Sequence, residues 1–257
     1  MKKNIIDFVV VENTLLSHNY SLLKLTPESG NKLPDSMPGQ FVQVAVDNSK
    51  TTFLRRPVSI NYVDRVNNRL WLLVRNAGDG TAAIMRKRPG DKMNVICPLG
   101  NGFSMPVAVS DRLLLVGGGV GVAPLLELGA VLKARGFQPE FLLGARSADD
   151  ILESDMFEAI GPVHIATDDG SAGHHGLVTQ HPVIQSGWDR IYCCGPAPMM
   201  KAVARCAAQS GIDCEVSLEN MMACGVGACL CCVEKTVKGN VCVCTEGPVF
   251  NINQLTW

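Results

Sequence analysis

The feature that most restricts this chain is the spacing of its last cysteines: Cys224, Cys229 and Cys232 stand as Cys-x4-Cys-x2-Cys, with Cys242 and Cys244 following. Thiolates at such gaps in one short loop converge on a compact metal centre, and the spacing is that of a plant-type [2Fe-2S] site. Gly225 and Gly227 lie inside the loop, where the lack of a Cβ lets backbone amides approach sulfur. Cys231 adjoins Cys232, and the x2 gap selects Cys232. Residues 241–244 read as a strand, whose period of two puts Cys242 and Cys244 on one face, so periodicity does not choose between them. Taken alone, Cys229, Cys232, Cys242 and Cys244 also suit a zinc knuckle with four thiolates in a tetrahedron. The uneven gaps favour the cluster, because zinc sites usually pair two short Cys-x2-Cys units.

Eleven cysteines would suggest disulfides in a short secreted chain. Here the chain has 257 residues, and the N-terminal Met1-Lys2-Lys3-Asn4 lacks the apolar core and cleavage site of an export signal. No run is long and apolar enough to span a bilayer, so the expectation is a cytoplasmic protein with metal-binding thiols. Cys97, Cys193, Cys194, Cys206 and Cys214 sit among apolar or small residues and read as buried small hydrophobes. A net charge of −1 without long basic runs argues against nucleic acid or an anionic membrane surface as partner.

Six β-prone runs, at 6–11, 20–25, 41–46, 58–62, 70–74 and 92–96, alternate with turn residues and predict an antiparallel barrel or sandwich. On one of them Arg56, Pro57, Val58 and Ser59 place a planar cation, a rigid ring and a hydroxyl at a strand start, a group suited to a pyrophosphate and a planar ring. The bland alternative is a surface arginine beside a strand-opening proline. Leu73, Val74 and Arg75 end another run, and Gly80-Thr81 opens a short helix whose free amides favour phosphate. A lone Gly-Thr is otherwise a capped helix start with Thr81 as N-cap.

From residue 111 the texture changes to short continuous apolar runs, the mark of strands buried on both faces in a parallel α/β unit. The first runs into Gly117, Gly118, Gly119 and Gly121, then a helix over 125–135. Val122 stands where the third glycine of the usual dinucleotide fingerprint belongs, yet strand, glycine turn and helix N-terminus still suit a bound phosphate. Further units follow at 140–146, 163–170 and 190–210, with glycine or proline at strand carboxyl ends, where open α/β sheets bind ligands. There Arg146 suits an adenosine ribose or phosphate, or is simply a solvated arginine after a strand, and Cys194-Gly195 suits a nicotinamide or simply makes a tight turn. His164, His174, His175 and His181 match no metal-ligand spacing, and His174-His175 reads as a loop. No side-chain arrangement for acid–base or nucleophilic catalysis emerges, which a redox relay does not need.

With these motifs in this order, the chain resembles the ferredoxin reductase superfamily over essentially its whole length. Met222 to Cys229 and the run from Cys244 to Phe250 resemble the C-terminal signature of the electron-transfer subunits of NAD-dependent dihydroorotate dehydrogenases. The resemblance implies an FAD-binding β-barrel at 1–107, an NAD-binding α/β unit at 108–216 and a [2Fe-2S] unit at 217–257. It implies FAD on residues 56–59, 73–75, 80 and 81, with NAD near residues 117–124 and Cys194-Gly195. The cluster then rests on Cys224, Cys229, Cys232 and Cys244, leaving Cys242 a spectator. It also implies a separate FMN-containing catalytic subunit, two copies of each chain in a heterotetramer, and a relay from FMN through cluster and FAD to NAD+. Similar reductase modules serve hydrogenases and ferredoxin-NADP transhydrogenases; a zinc-stabilised binding or sensing module without turnover is a further alternative.

Overall fold

The computed structural model describes residues 3–47, 49 and 51–257; Met1 and Lys2, part of the N-terminal stretch considered above, lie outside them. The first seven strands are β1 (Asn4–Ser17), β2 (Tyr20–Pro27), β3 (Phe41–Val44), β4 (Arg56–Ser59), β5 (Tyr62–Asp64), β6 (Arg69–Arg75) and β7 (Lys92–Leu99). They form one antiparallel sheet in the order β4-β3-β7-β1-β2-β6-β5. The run expected as one strand at 58–62 is two, β4 and β5, and these are the opposite ends of the sheet. At the break, Ile60 N–H donates to Gln40 on the β3 side while Asn61 N–H donates to Trp71 on the β6 side. A link this short spans at most about 10 Å. The sheet ends are therefore drawn together, and the sheet curls into a half-barrel.

Alternation decides which face each residue takes. Leu23, Leu25, Val42, Val44, Leu70 and Leu72 fill the barrel interior. Their neighbours Leu22 and Leu73 join the core of the second unit, and Phe41 joins the core that reaches Cys232 and Cys244. Both faces of this sheet are used.

The second sheet contains β8 (Leu113–Gly118), β9 (Pro139–Ala145), β10 (Val163–Thr167), β11 (His174–His175), β12 (Arg190–Cys194), β13 (Asp213–Ser217) and β16 (Val249–Asn251). Its order is β11-β10-β9-β8-β12-β13-β16, parallel except for the β13–β16 pair. Leu113, Leu114, Leu115 and Val116 are fully buried, each contributing about 1.5–3 kcal/mol relative to exposure. The chain leaves β8 towards β9 and later crosses to β12 on its other side, so the crevice beyond the carboxyl end of β8 is the switch point. His174-His175, expected as a loop, is a two-residue strand paired in parallel with Ala166 and Thr167.

Helix α1 (Asp79–Met85) belongs to the barrel, while α2 (Ala123–Ala134), α3 (Ser154–Glu158) and α4 (Ala197–Gln209) cover the second sheet. Glu127 on α2 is nearly fully buried, accepts from Val63 N–H (2.9 Å) and pairs with Arg65 (3.1 Å), fixing helix to barrel link. The tail adds β14 (Val233–Thr236), β15 (Gly239–Cys242) and the single turn α5 (Val243–Glu246) before β16. The strand expected over 241–244 thus ends at Cys242, and Cys244 lies in a helical turn. Among the described residues no helix is long and apolar enough to cross a membrane.

Candidate functional site

Seven of the residues singled out on the barrel come together around one cavity of about 230 Å³: Pro57, Val58, Ser59, Leu73, Val74, Arg75 and Thr81. The two neighbouring arginines divide the work. Arg55 donates to Gln43 O (3.3 Å), Asn94 O (3.0 Å) and Asn94 Oδ1, so it holds barrel strands. Arg56 lies over Gly80, where a Cβ would stand 2.8 Å from Nε, and that Nε is buried without a protein partner. A buried guanidinium nitrogen left unpaired beside a glycine is the donor chemistry an anionic group needs. Thr81 is not the N-cap, which is Gly78. Its hydroxyl accepts from Ala77 N–H (2.8 Å) and donates to Gly78 O (3.0 Å), fixing the turn that presents Gly80.

A second cavity, of about 400 Å³, opens at the switch point beside Gly118, Gly119, Arg146, Pro196 and Met199. The glycines of this turn differ in role. Gly119 takes a left-handed φ of +53°, which favours glycine. Gly118 is packed so closely that a Cβ would meet Met199 Sδ at 2.5 Å. Gly117 and Gly121 lie behind the cavity wall: a Cβ on Gly121 would stand 2.5 Å from Cys194 O and 2.6 Å from Gly195 Cα. Cys194 is itself buried, and burial, with Glu219 nearby, pushes its thiol well above the usual range. Cys194 and Gly195 therefore shape the cavity from behind, while Pro196 lines it.

The two cavities meet. Arg75, Val120 and Glu219 line both. Burial raises the Glu219 carboxyl, opposed by Arg75. Sequence patterns did not single out Glu219; its only signal is an acidic residue just past the carboxyl end of β13. Met222, three residues further on, also lines the smaller cavity and is two residues from Cys224.

The thiols stand in two pairs. Cys224 N–H points at Cys229 Sγ (3.4 Å), and Val226 and Ala228 N–H point at Cys224 Sγ (3.4 and 3.3 Å). Partial burial raises the Cys224 thiol, but the Val226 amide, the Cys229 thiol and further amides outweigh it and bring it to about 6. Cys244 N–H points at Cys232 Sγ (3.4 Å), and both residues are buried. Cys231 faces outward, its thiol 3.8 Å from Met221 O. Cys242 is less buried than Cys244 but still adjoins Cys232. Among the described residues no three His, Cys, Asp or Glu side chains gather around a single ion. Two thiolate pairs with inward amides suit two irons better than one tetrahedral zinc. The segment is tied to the barrel by Asn101, whose side-chain amide donates to Thr245 O and Glu246 O, both at 3.0 Å.

His164, His174 and His181 do cluster, with ring centroids 5.3–5.5 Å from His181. Their bonds are local: His164 meets Glu140 (2.9 Å) and His181 Nδ1 accepts from Val183 N–H (3.1 Å).

Comparison with known proteins agrees with this geometry. Residues 219–256 match the family described as the iron-sulfur cluster binding domain of dihydroorotate dehydrogenase B, and residues 7–103 match the oxidoreductase FAD-binding domain. The chain is similar to the dihydroorotate dehydrogenase B (NAD(+)) electron transfer subunit of Geobacillus kaustophilus, at 41% identity over 85% of this chain and 86% of that protein. The subunit of the same name from Fusobacterium nucleatum is 36% identical over 95% of each. Among solved structures, the NADH-dependent reduced ferredoxin-NADP oxidoreductase superposes with a TM-score of 0.85 at 28% identity, covering 97% of this chain and 90% of that one. The match of the cysteine segment to an iron–sulfur family, with the paired thiols, decides against the zinc alternative.

Proposed function

Because this chain belongs to the family of dihydroorotate dehydrogenase B (NAD(+)) electron transfer subunits, we propose that it docks in the cytoplasm with an FMN-containing catalytic subunit, two copies of each, and passes that subunit's electrons to NAD+ during pyrimidine synthesis. The observation that carries this reading is continuity. The nucleotide cavity shares Arg75, Val120 and Glu219 with the flavin cavity, and the flavin cavity reaches Met222 at the edge of the thiol loop.

In this reading the three units span 1–107, 108–216 and 217–257. Arg56 grips the flavin's pyrophosphate, helped by the close backbone at Gly80 and Thr81. Ser59 and the strand end at residues 73–75 orient the ring. Gly118 and Gly119 admit the dinucleotide's phosphates, and Gly117, Gly121, Cys194 and Gly195 keep the nicotinamide side of the crevice narrow. Cys224 with Cys229, and Cys232 with Cys244, would together hold the cluster. When bound, flavin and cluster together supply the exchange between single electrons and hydride. The exposed apolar side chains Met221 and Leu230 beside the loop suit a surface covered by the catalytic subunit.

Co-expression with the candidate dehydrogenase, then assay of dihydroorotate-driven NAD+ reduction, tests this. Cys224→Ser is expected to abolish that activity while orotate formation with an artificial acceptor persists. Equal NAD+ reduction by variant and wild type refutes the relay. The likeness to the ferredoxin-NADP oxidoreductase supports a second reading, a reductase subunit of a transhydrogenase or hydrogenase; a pull-down that returns such a partner selects it.

A further inference from the structure

Between the flavin strand and the thiol loop lies one side chain that neither assignment uses. Gln43 is on β3, where Val42 and Val44 point into the barrel and Gln43 points the other way. It is fully buried, and both its Nε2 and its Oε1 lack a hydrogen-bond partner. A buried carboxamide with neither end satisfied is costly and rare, so it marks a place where another polar group belongs.

Its surroundings identify that group. A Cβ at Gly225 would come 2.5 Å from Gln43 Cγ and 2.6 Å from its Nε2, so the carboxamide rests on the backbone beside Cys224. Gly225, at φ +69°, leaves the room. The loop's own amides already point at Cys224 sulfur. On the other side, Gln43 is the register partner of Pro57 on β4, and its carbonyl accepts from Arg55 (3.3 Å). One residue therefore spans from the flavin strand to the thiol loop.

We propose that Gln43 is a positioning residue for electron transfer: its Nε2–H donates to sulfur of the iron–sulfur centre on the Cys224 side, and its seat on β3 fixes the loop relative to the flavin strand. Hydrogen bonds to cluster sulfurs are among the levers that set reduction potential. A donor stabilises the reduced cluster, which carries one more negative charge, and so raises the potential. The inference rests on the cluster reading above and fails separately from it.

Iron and acid-labile sulfide in wild-type holoprotein test that reading first; their absence sinks it. With iron present, the test compares wild type with Gln43→Met, similar in length but without a donor, and Gln43→Glu, which adds negative charge. In an EPR-monitored redox titration the cluster potential is expected to fall in Q43M and further in Q43E, with shifted g values and an unmoved flavin potential. A Q43M protein with full iron, wild-type potential and wild-type g values overturns the proposal. Should Q43M not retain its cluster, wild-type protein carrying 15N in its glutamine side chains decides. Pulsed EPR of the reduced cluster is expected to show an amide 15N coupling, and its absence overturns the donor role.

Discussion

Replacing Gly121 with alanine sets two effects of opposite sign against each other. Gly121 lies in the 3-10 turn Gly119–Val122 and does not take a left-handed φ. On backbone grounds alone, alanine should stabilise by about 0.4–1 kcal/mol through lost unfolded-state freedom. Packing says otherwise: the new Cβ would stand 2.5 Å from Cys194 O and 2.6 Å from Cys194 C and Gly195 Cα. Ordinary contact begins at 3.4 Å, so the shortfall is 3.4 − 2.5 = 0.9 Å. The opposing atoms are backbone and have no rotamer in which to retreat. Overpacking costs about 1–3 kcal/mol, and a clash with main chain belongs at the upper end. The net expectation is a loss of about 2 kcal/mol, a fall in Tm of about 4–8 °C. The shift also drives Cys194-Gly195-Pro196 away from the glycine turn, so the KM for NADH in a ferricyanide-linked assay should rise while flavin content holds. A variant with unchanged or raised Tm would refute the packing argument.

Two other substitutions separate roles that look alike. Arg56→Ala should weaken FAD retention by about 10- to 100-fold, the loss of a charge-assisted pair worth about 1.5–3 kcal/mol. Arg55→Ala should instead lower Tm with flavin affinity little changed, because its bonds go to Gln43 and Asn94; flavin release on dilution and thermal unfolding distinguish the two. Glu153 is raised from 4.5 to about 7 by burial, opposed by Asn61 and aided by Asp155. The folded chain keeps a proton that the unfolded chain gives up, so stability falls as pH rises from about 4.5 to about 7 and is flat above, by about 3 kcal/mol in all. Asn61 donates to Glu153 Oε1 (2.9 Å), while Asn61 Oδ1 and Glu153 Oε2 are buried without partners. Glu153→Gln supplies the missing donor, and in denaturant titrations should exceed wild type at pH 8 and match it near pH 4.5. Equal stability at pH 8 would refute this account.

The sequence by itself determined the order of the units and the chemistry of their ends. Cysteine gaps, the Arg56–Ser59 group and the glycine turn after β8 are local signals, because each needs its neighbours in the chain to present sulfur, charge or amide in one place. Period two puts 23 and 25 opposite 22, and 42 and 44 opposite 41 and 43, but with Leu22 and Phe41 also apolar it leaves both faces of the sheet open to burial. Tertiary structure alone decided what those faces meet. Residues 58–62 became two strands at opposite ends of a sheet because the sheet curls and one strand cannot pair at both edges. Cys244 parted from Cys242 because α5 turns the chain by about 100° per residue where a strand would turn it by 180°. Glu219 and Gln43 carry no motif; their importance comes from segments far apart in the chain closing over them, and burial of that kind is a property of the packed molecule.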